Sequence, residues 1–98
     1  MVLEHAIITT SPGQGDAFEA VLPDALAVIR RAEGIGSVEI HRGIESPDTF
    51  LLLVEWDTLE AHTVGFRESA LFAEWRGVIG SFFASPPQVE HFTLILPD

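Results

Sequence analysis

Residues 49–62 read T-F-L-L-L-V-E-W-D-T-L-E-A-H. The first eight are mostly apolar and β-favouring, so they predict a strand that ends on Trp56. Asp57 then stands where a helix N-cap is expected, and Glu60 occupies the third helical position of a capping box. A short helix is therefore predicted from Thr58 to about Arg67, with His62 on it six positions after the tryptophan.

Upstream, residues 37–43 (S-V-E-I-H-R-G) alternate in the period of a strand, and Glu45-Ser46-Pro47-Asp48 is a turn that pairs them as a hairpin with 49–56. Before that hairpin, Phe18, Val21, Leu22, Ala25, Ile29 and Ala32 recur at helical spacing. Ser11 reads as the N-cap of this helix, with Pro12 as its first residue and Gln14 completing a capping box; Asp16 is a rival cap. Pro23 is expected to kink the helix, and Gly34 and Gly36 to end it. Residues 2–10, rich in β-branched side chains, read as a first strand.

Downstream, Ser69 reads as the cap of another helix with an apolar stripe of Leu71, Trp75, Val78 and Phe82. Ser85-Pro86-Pro87 is a rigid connector, and residues 89–96 (V-E-H-F-T-L-I-L) read as a last strand. The order β-α-β-β-α-α-β predicts an α+β, ferredoxin-like domain with an antiparallel four-stranded sheet and its helices on one face. At 98 residues, one domain with one modest core is expected over 1–98.

The third and last strands are apolar on almost every residue, although helices in this topology cover one face of the sheet. A second copy of the chain is the expected cover for the other face, which makes a homodimer.

Fifteen acidic residues against five basic ones leave a net charge of −10. Such a chain repels nucleic acid and anionic membranes, whose binding depends on lysine and arginine. No glycine-rich phosphate loop is present, so a neutral or weakly charged small hydrophobic ligand is expected. The absence of cysteine removes disulfides, thiolate metal sites and a cysteine nucleophile. No stretch has the length of a membrane span or the pattern of a signal peptide, and the expected location is the cytoplasm. The four histidines are far apart in sequence and form no H-x-x-x-H or H-E-x-x-H pair, so no metal site is expected.

V-E-W-D-T-L-E-A-H, followed by S-A-L-F-A-E-W and closing in V-E-H-F, resembles the antibiotic biosynthesis monooxygenase family, as does S-P-G-Q-G-D-A-F-E-A after the first strand. The likeness covers nearly the whole chain. It implies two ferredoxin-like protomers joined as a dimeric α/β barrel, each holding a pocket between sheet and helices. It also implies oxygenation of polycyclic phenols or quinols with O2 and without flavin, metal or haem. A haem-degrading branch of the resemblance uses an asparagine on the first strand and a histidine ligand in the last helix. Here the aromatic position of that branch falls near Phe66 and the histidine position near Arg76, and the first strand holds no asparagine. Haem degradation is accordingly disfavoured. The chain also has no tyrosine to assist proton transfer, which departs from some relatives.

Oxygenation of a phenol is helped by a base that yields the electron-rich anion, and histidine suits that work near neutral pH. His62, on one helix face with Phe66, is the favoured proton acceptor, against a packed histidine bonded to a backbone carbonyl or Glu60. His91 on the last strand is the second candidate, or else an interface hydrogen bonder. His5 shares a face with Leu3, Ile7 and Thr9 that looks core-like, from which it could line the pocket; His41 is expected in solvent. Trp56, Phe66, Phe72 and Trp75 are expected to shape the aromatic pocket, although packing alone also explains the two tryptophans. Arg42 and Arg76 are expected at the surface or in salt bridges. A non-catalytic dimer that binds a small hydrophobic molecule uses the same pocket without a base.

Overall fold

The computed structural model describes residues 1–97. Four strands, β1 (Val2–Thr9), β2 (Ile35–Arg42), β3 (Thr49–Trp56) and β4 (Gln88–Phe92), form one antiparallel sheet in the order β2-β3-β1-β4. Helix α1 (Gly15–Ile29) joins β1 to β2. A π-helical turn (Ala61–Phe66), helix α2 (Ala70–Ile79) and a 3-10 turn (Gly80–Phe82) join β3 to β4. This is the ferredoxin-like α+β order that the sequence predicts, with β3 on the predicted residues. Among the described residues no helix is long and apolar enough to cross a membrane.

The core lies where alternate residues of the sheet meet the helices. Phe50, Leu52, Val54 and Trp56 of β3 are buried, as are Ala6 and Ile8 of β1, and they pack on Phe18, Ala25 and Ile29 of α1 and Trp75 and Ile79 of α2. On the other side of the same strands, Leu51 and Leu53 are half-buried and Ile7 and Phe92 are exposed. The unpartnered apolar face expected from the sequence is therefore present.

Local chemistry moves several boundaries. Ser11 does not cap α1: residues 11–14 close a turn in which the Gln14 N–H donates to the Ser11 carbonyl at 3.0 Å, and the helix starts at Gly15. Gly15 is needed there because the chain runs against Asp48, whose Oδ1 accepts its N–H at 3.0 Å; a Cβ would collide with Asp48 and with the Pro47 carbonyl. Asp16 sits in the first turn and pairs with Arg42 at 2.8 Å. The helix continues through Pro23 to Ile29 and ends before Gly34, whose φ of +76° closes the connection to β2. Strand β2 begins two residues earlier than predicted. Strand β4 ends at Phe92, paired with Leu3 of β1, rather than at 96.

After β3, neither Asp57 nor Glu60 acts as a cap. Instead, the Thr58 hydroxyl oxygen accepts the Ala61 N–H at 3.1 Å. The next turn is wider than an α-helix, with the Arg67 N–H donating to the His62 carbonyl five residues back at 3.1 Å. Ser69 does occupy the N-cap position of α2, but its hydroxyl turns back and donates to the Phe66 carbonyl at 2.7 Å.

Candidate functional site

A cavity of about 340 Å³ opens between the inner face of the sheet, the π turn and α2. Its floor is Ala6, Ile8 and Leu52, and its aromatic walls are Phe66, Phe72, Trp75 and Phe83. The rings interlock: Phe66 meets Phe72 edge-on at 5.6 Å and Trp75 at 6.4 Å between centroids. Such T-shaped contacts hold a wall rigid at little entropic cost.

One end of this apolar space is polar. Glu4 lines the cavity although only 5% of its surface is exposed. Its Oε1 accepts the Trp56 indole N–H at 3.0 Å and lies 3.3 Å from His62 Nε2. The other nitrogen of His62, Nδ1, is 2.7 Å from His91 Nε2. Three strands and the π turn build this row. Glu4 of β1 is directly opposite His91 of β4, and Trp56 of β3 is its diagonal neighbour across Val54. The π turn lays the His62 ring on Trp56, centroids 5.0 Å apart and planes 18° from parallel.

Burial shifts all three titratable groups toward their neutral forms. Burial raises the Glu4 pKa, although the Trp56 N–H and the Arg67 charge oppose it. Burial, then the charges of Arg67 and His91, lowers His62 to about 4. His91 is lowered as well, by burial first and Arg67 second. A desolvated site penalises charge unless a partner repays it, and here the nearest fixed charge is cationic.

The basic residues are distributed unevenly. Arg31 pairs with Glu74, Arg42 with Asp16 and Glu19, and Arg30 with the Gly36 carbonyl. The remaining two, Arg67 and Arg76, both line the cavity, and among the described residues neither guanidinium has a hydrogen-bond or ion-pair partner. Arg76 lies over the rings of Phe83 and Phe72, 5.2 and 6.0 Å from their centroids.

The structure thus brings His62, Phe66, Phe72 and Trp75 to one cavity, with His91 bonded to His62 behind it and Trp56 packed beneath. It does not bring His5. The face of β1 with Leu3, His5, Ile7 and Thr9 is the outer one, where His5 meets Phe92 edge-on at 5.6 Å; the buried face carries Glu4, Ala6 and Ile8. His41 is in solvent beside Glu39, as expected. Arg76 is exposed, as expected, and borders the cavity without a salt bridge. Glu4 is the residue that sequence reasoning missed. The signal for it was the parity of β1: a carboxylate in phase with Ala6 and Ile8 is a buried carboxylate.

The sequence profile described as "ABM: Antibiotic biosynthesis monooxygenase" matches residues 1–78. The "Uncharacterized protein YczJ" of Bacillus subtilis is 37% identical over 92 residues, spanning 94% of this chain and 97% of its own. A solved structure titled "Putative antibiotic biosynthesis monooxygenase", from Bordetella bronchiseptica, is 43% identical and superposes with a TM-score of 0.92 over 97% of both chains. Rv0793 of Mycobacterium tuberculosis, at 18% identity and a TM-score of 0.76 over 98% of this chain and 96% of that one, shares the fold. The chain belongs to the antibiotic biosynthesis monooxygenase family.

Proposed function

We propose that this protein is a cofactor-independent monooxygenase that oxidises a phenol, a quinol or a polyketide-like aromatic with O2. The observation that carries this reading is the pairing of an aromatic-walled cavity with a buried row of proton-transfer groups at one end. Flat rings fit between Phe66, Phe72 and Trp75. Loss of the hydroxyl proton makes the ring electron-rich enough to reduce O2. One oxygen atom then joins a ring carbon and the other leaves as water, so a phenol and O2 give a quinone and water. The free guanidinium of Arg67 supplies a positive charge that favours the phenolate over the phenol.

The test is oxygen uptake with a panel of quinols and polycyclic phenols. Wild type is expected to consume O2, and His62→Ala to lose about 100-fold or more of the rate. Uptake unaffected by the substitution removes His62 from the mechanism. No uptake on the whole panel, with ligand binding retained, favours the second reading, a non-catalytic small-molecule-binding protein.

We also propose a homodimer. Leu51, Leu53, Ile7 and Phe92 lie on the outer face of the sheet, and Leu94, Ile95 and Leu96 run beside it, 77–86% exposed. Leaving this patch in water costs several kcal/mol at ~25 cal/mol per Å² of apolar surface, and a second sheet recovers it. Sedimentation at micromolar concentration checks the stoichiometry; a monomer there contradicts it.

A further inference from the structure

Both ring nitrogens of His62 face members of the row, Nδ1 bonded to His91 at 2.7 Å and Nε2 lying 3.3 Å from Glu4 Oε1. Glu4 differs. Its Oε1 holds the contacts to Trp56 and His62, while among the described residues Oε2 has no hydrogen-bond partner. No fully buried side-chain polar atom among the described residues lacks a partner, so Oε2 is open, and the open space at Glu4 is the cavity. At the far end, His91 is half-buried on the edge strand β4. The row therefore runs from the cavity, through the protein interior, to the surface.

We propose that Glu4 is the catalytic group that takes the substrate's hydroxyl proton, and that His62 and His91 carry a proton from it to solvent. This rests on the monooxygenase reading for its substrate, though its geometry stands without it.

The transfer balances with every side chain neutral before and after. The resting row has a proton on Glu4 Oε1, one on His62 Nδ1 and one on His91 Nδ1. The substrate O–H bond breaks toward Glu4 Oε2 as the Oε1 proton moves to His62 Nε2. The His62 Nδ1 proton moves to His91 Nε2, and the His91 Nδ1 proton leaves to water. One phenol proton has been exchanged for one solvent proton, no electron has moved, and both imidazoles have switched tautomer. A carboxylic acid can do this because one oxygen accepts while the other donates. The charged and titratable groups facing the row are Arg67 from the segment after the π turn, Arg76 from α2, and the three members themselves. Burial shifts all three toward neutrality, the direction that such a row needs.

Nitrogen-15 imidazole spectra of the free protein are the first measurement. At pH 7, His62 and His91 are expected to be neutral, each in a single tautomer, and Glu4→Gln is expected to change the tautomer of both. A charged His62, or tautomers indifferent to Glu4→Gln, overturns the relay. Calorimetry with 4-nitrophenol in buffers of different ionisation heat then counts the protons released on binding. Wild type is expected to release protons, and Glu4→Gln to release at least tenfold fewer. Equal release by the two overturns the assignment of Glu4, as does no release by wild type. His91→Gly, on the half-buried strand, provides a variant with little risk to the core. It is expected to slow proton release, with recovery on addition of free imidazole; a rate unaffected by the variant overturns the exit route. Proton release without O2 uptake on any quinol defeats the monooxygenase reading and leaves the relay standing.

Discussion

The two faces of one sheet have had opposite treatment. Strand β1 shows it residue by residue: Glu4, Ala6 and Ile8 point under the helices and are buried, while Leu3, His5, Ile7 and Thr9 point outward and are not. The inner face contains a carboxyl group and a histidine in a place where apolar residues would be more stable. The outer face puts leucine, isoleucine and phenylalanine where polar residues would be more soluble. On the proposed reading both departures from the burial rule have a use, the first for chemistry and the second for contact. The difference also separates what each face can tolerate. A satisfied polar row fails when one member is lost, whereas an apolar patch is weakened roughly in proportion to the area removed.

The contrast breaks hardest at Trp56. It is fully buried, carries the Phe66 and His62 rings, and donates to Glu4. Trp56→Ala is expected to cost about 3–5 kcal/mol in urea unfolding, the ordinary range for deleting a buried aromatic. Next comes the titration of the inner face. His62 falls from 6.5 to about 4 on folding, so the unfolded chain binds its proton more strongly. That stability is fully present above pH 6.5 and disappears as pH falls through 4. It amounts to about 3 kcal/mol. Unfolding midpoints measured across this window should fall steeply in wild type and much less in His62→Gln. Glu4 has the opposite sign: its raised pKa stabilises the fold at low pH, and the effect is lost as pH rises through the folded value.

On the outer face, Leu53→Asp is expected to weaken self-association at least tenfold in sedimentation while changing the unfolding free energy of the dilute monomer by about 1 kcal/mol or less. An equally large loss of monomer stability makes the two faces alike and contradicts the comparison. The smallest effect belongs to His41, in solvent beside Glu39. His41→Ala is expected to move stability by less than about 0.5 kcal/mol and leave oxygen uptake unchanged.

Much of this was legible in the sequence because it is local. β3 could be read from the run 49–56, the topology from the order of periodic segments, and His62 and Phe66 from their spacing along one face. The illegible part depends on pairing. Placing His5 inward and overlooking Glu4 is a single error of phase, because a strand of mixed polarity does not announce which parity meets the helices. The partnership of His62 with His91 spans 29 residues and exists because the β1–β4 register sets His91 opposite Glu4. Asp57 and Glu60 fit a capping box by type, but the chain after β3 turns more widely than an α-helix, and Thr58 meets the first free N–H instead.

That wider turn makes the site sensitive to chain length as well as to the identity of His62 and Phe66. Ala61–Phe66 spans the gap between a fixed strand end and the start of α2 with one residue more per turn than an α-helix would use. Losing any one residue there, Gly65 included, lets the segment close as an ordinary helix and rotates the residues before the deletion by about 100° relative to those after it. His62 and Phe66 would then no longer face the same way. Homologues are therefore expected to vary in residue type at positions 61 and 63–65 and to keep the count.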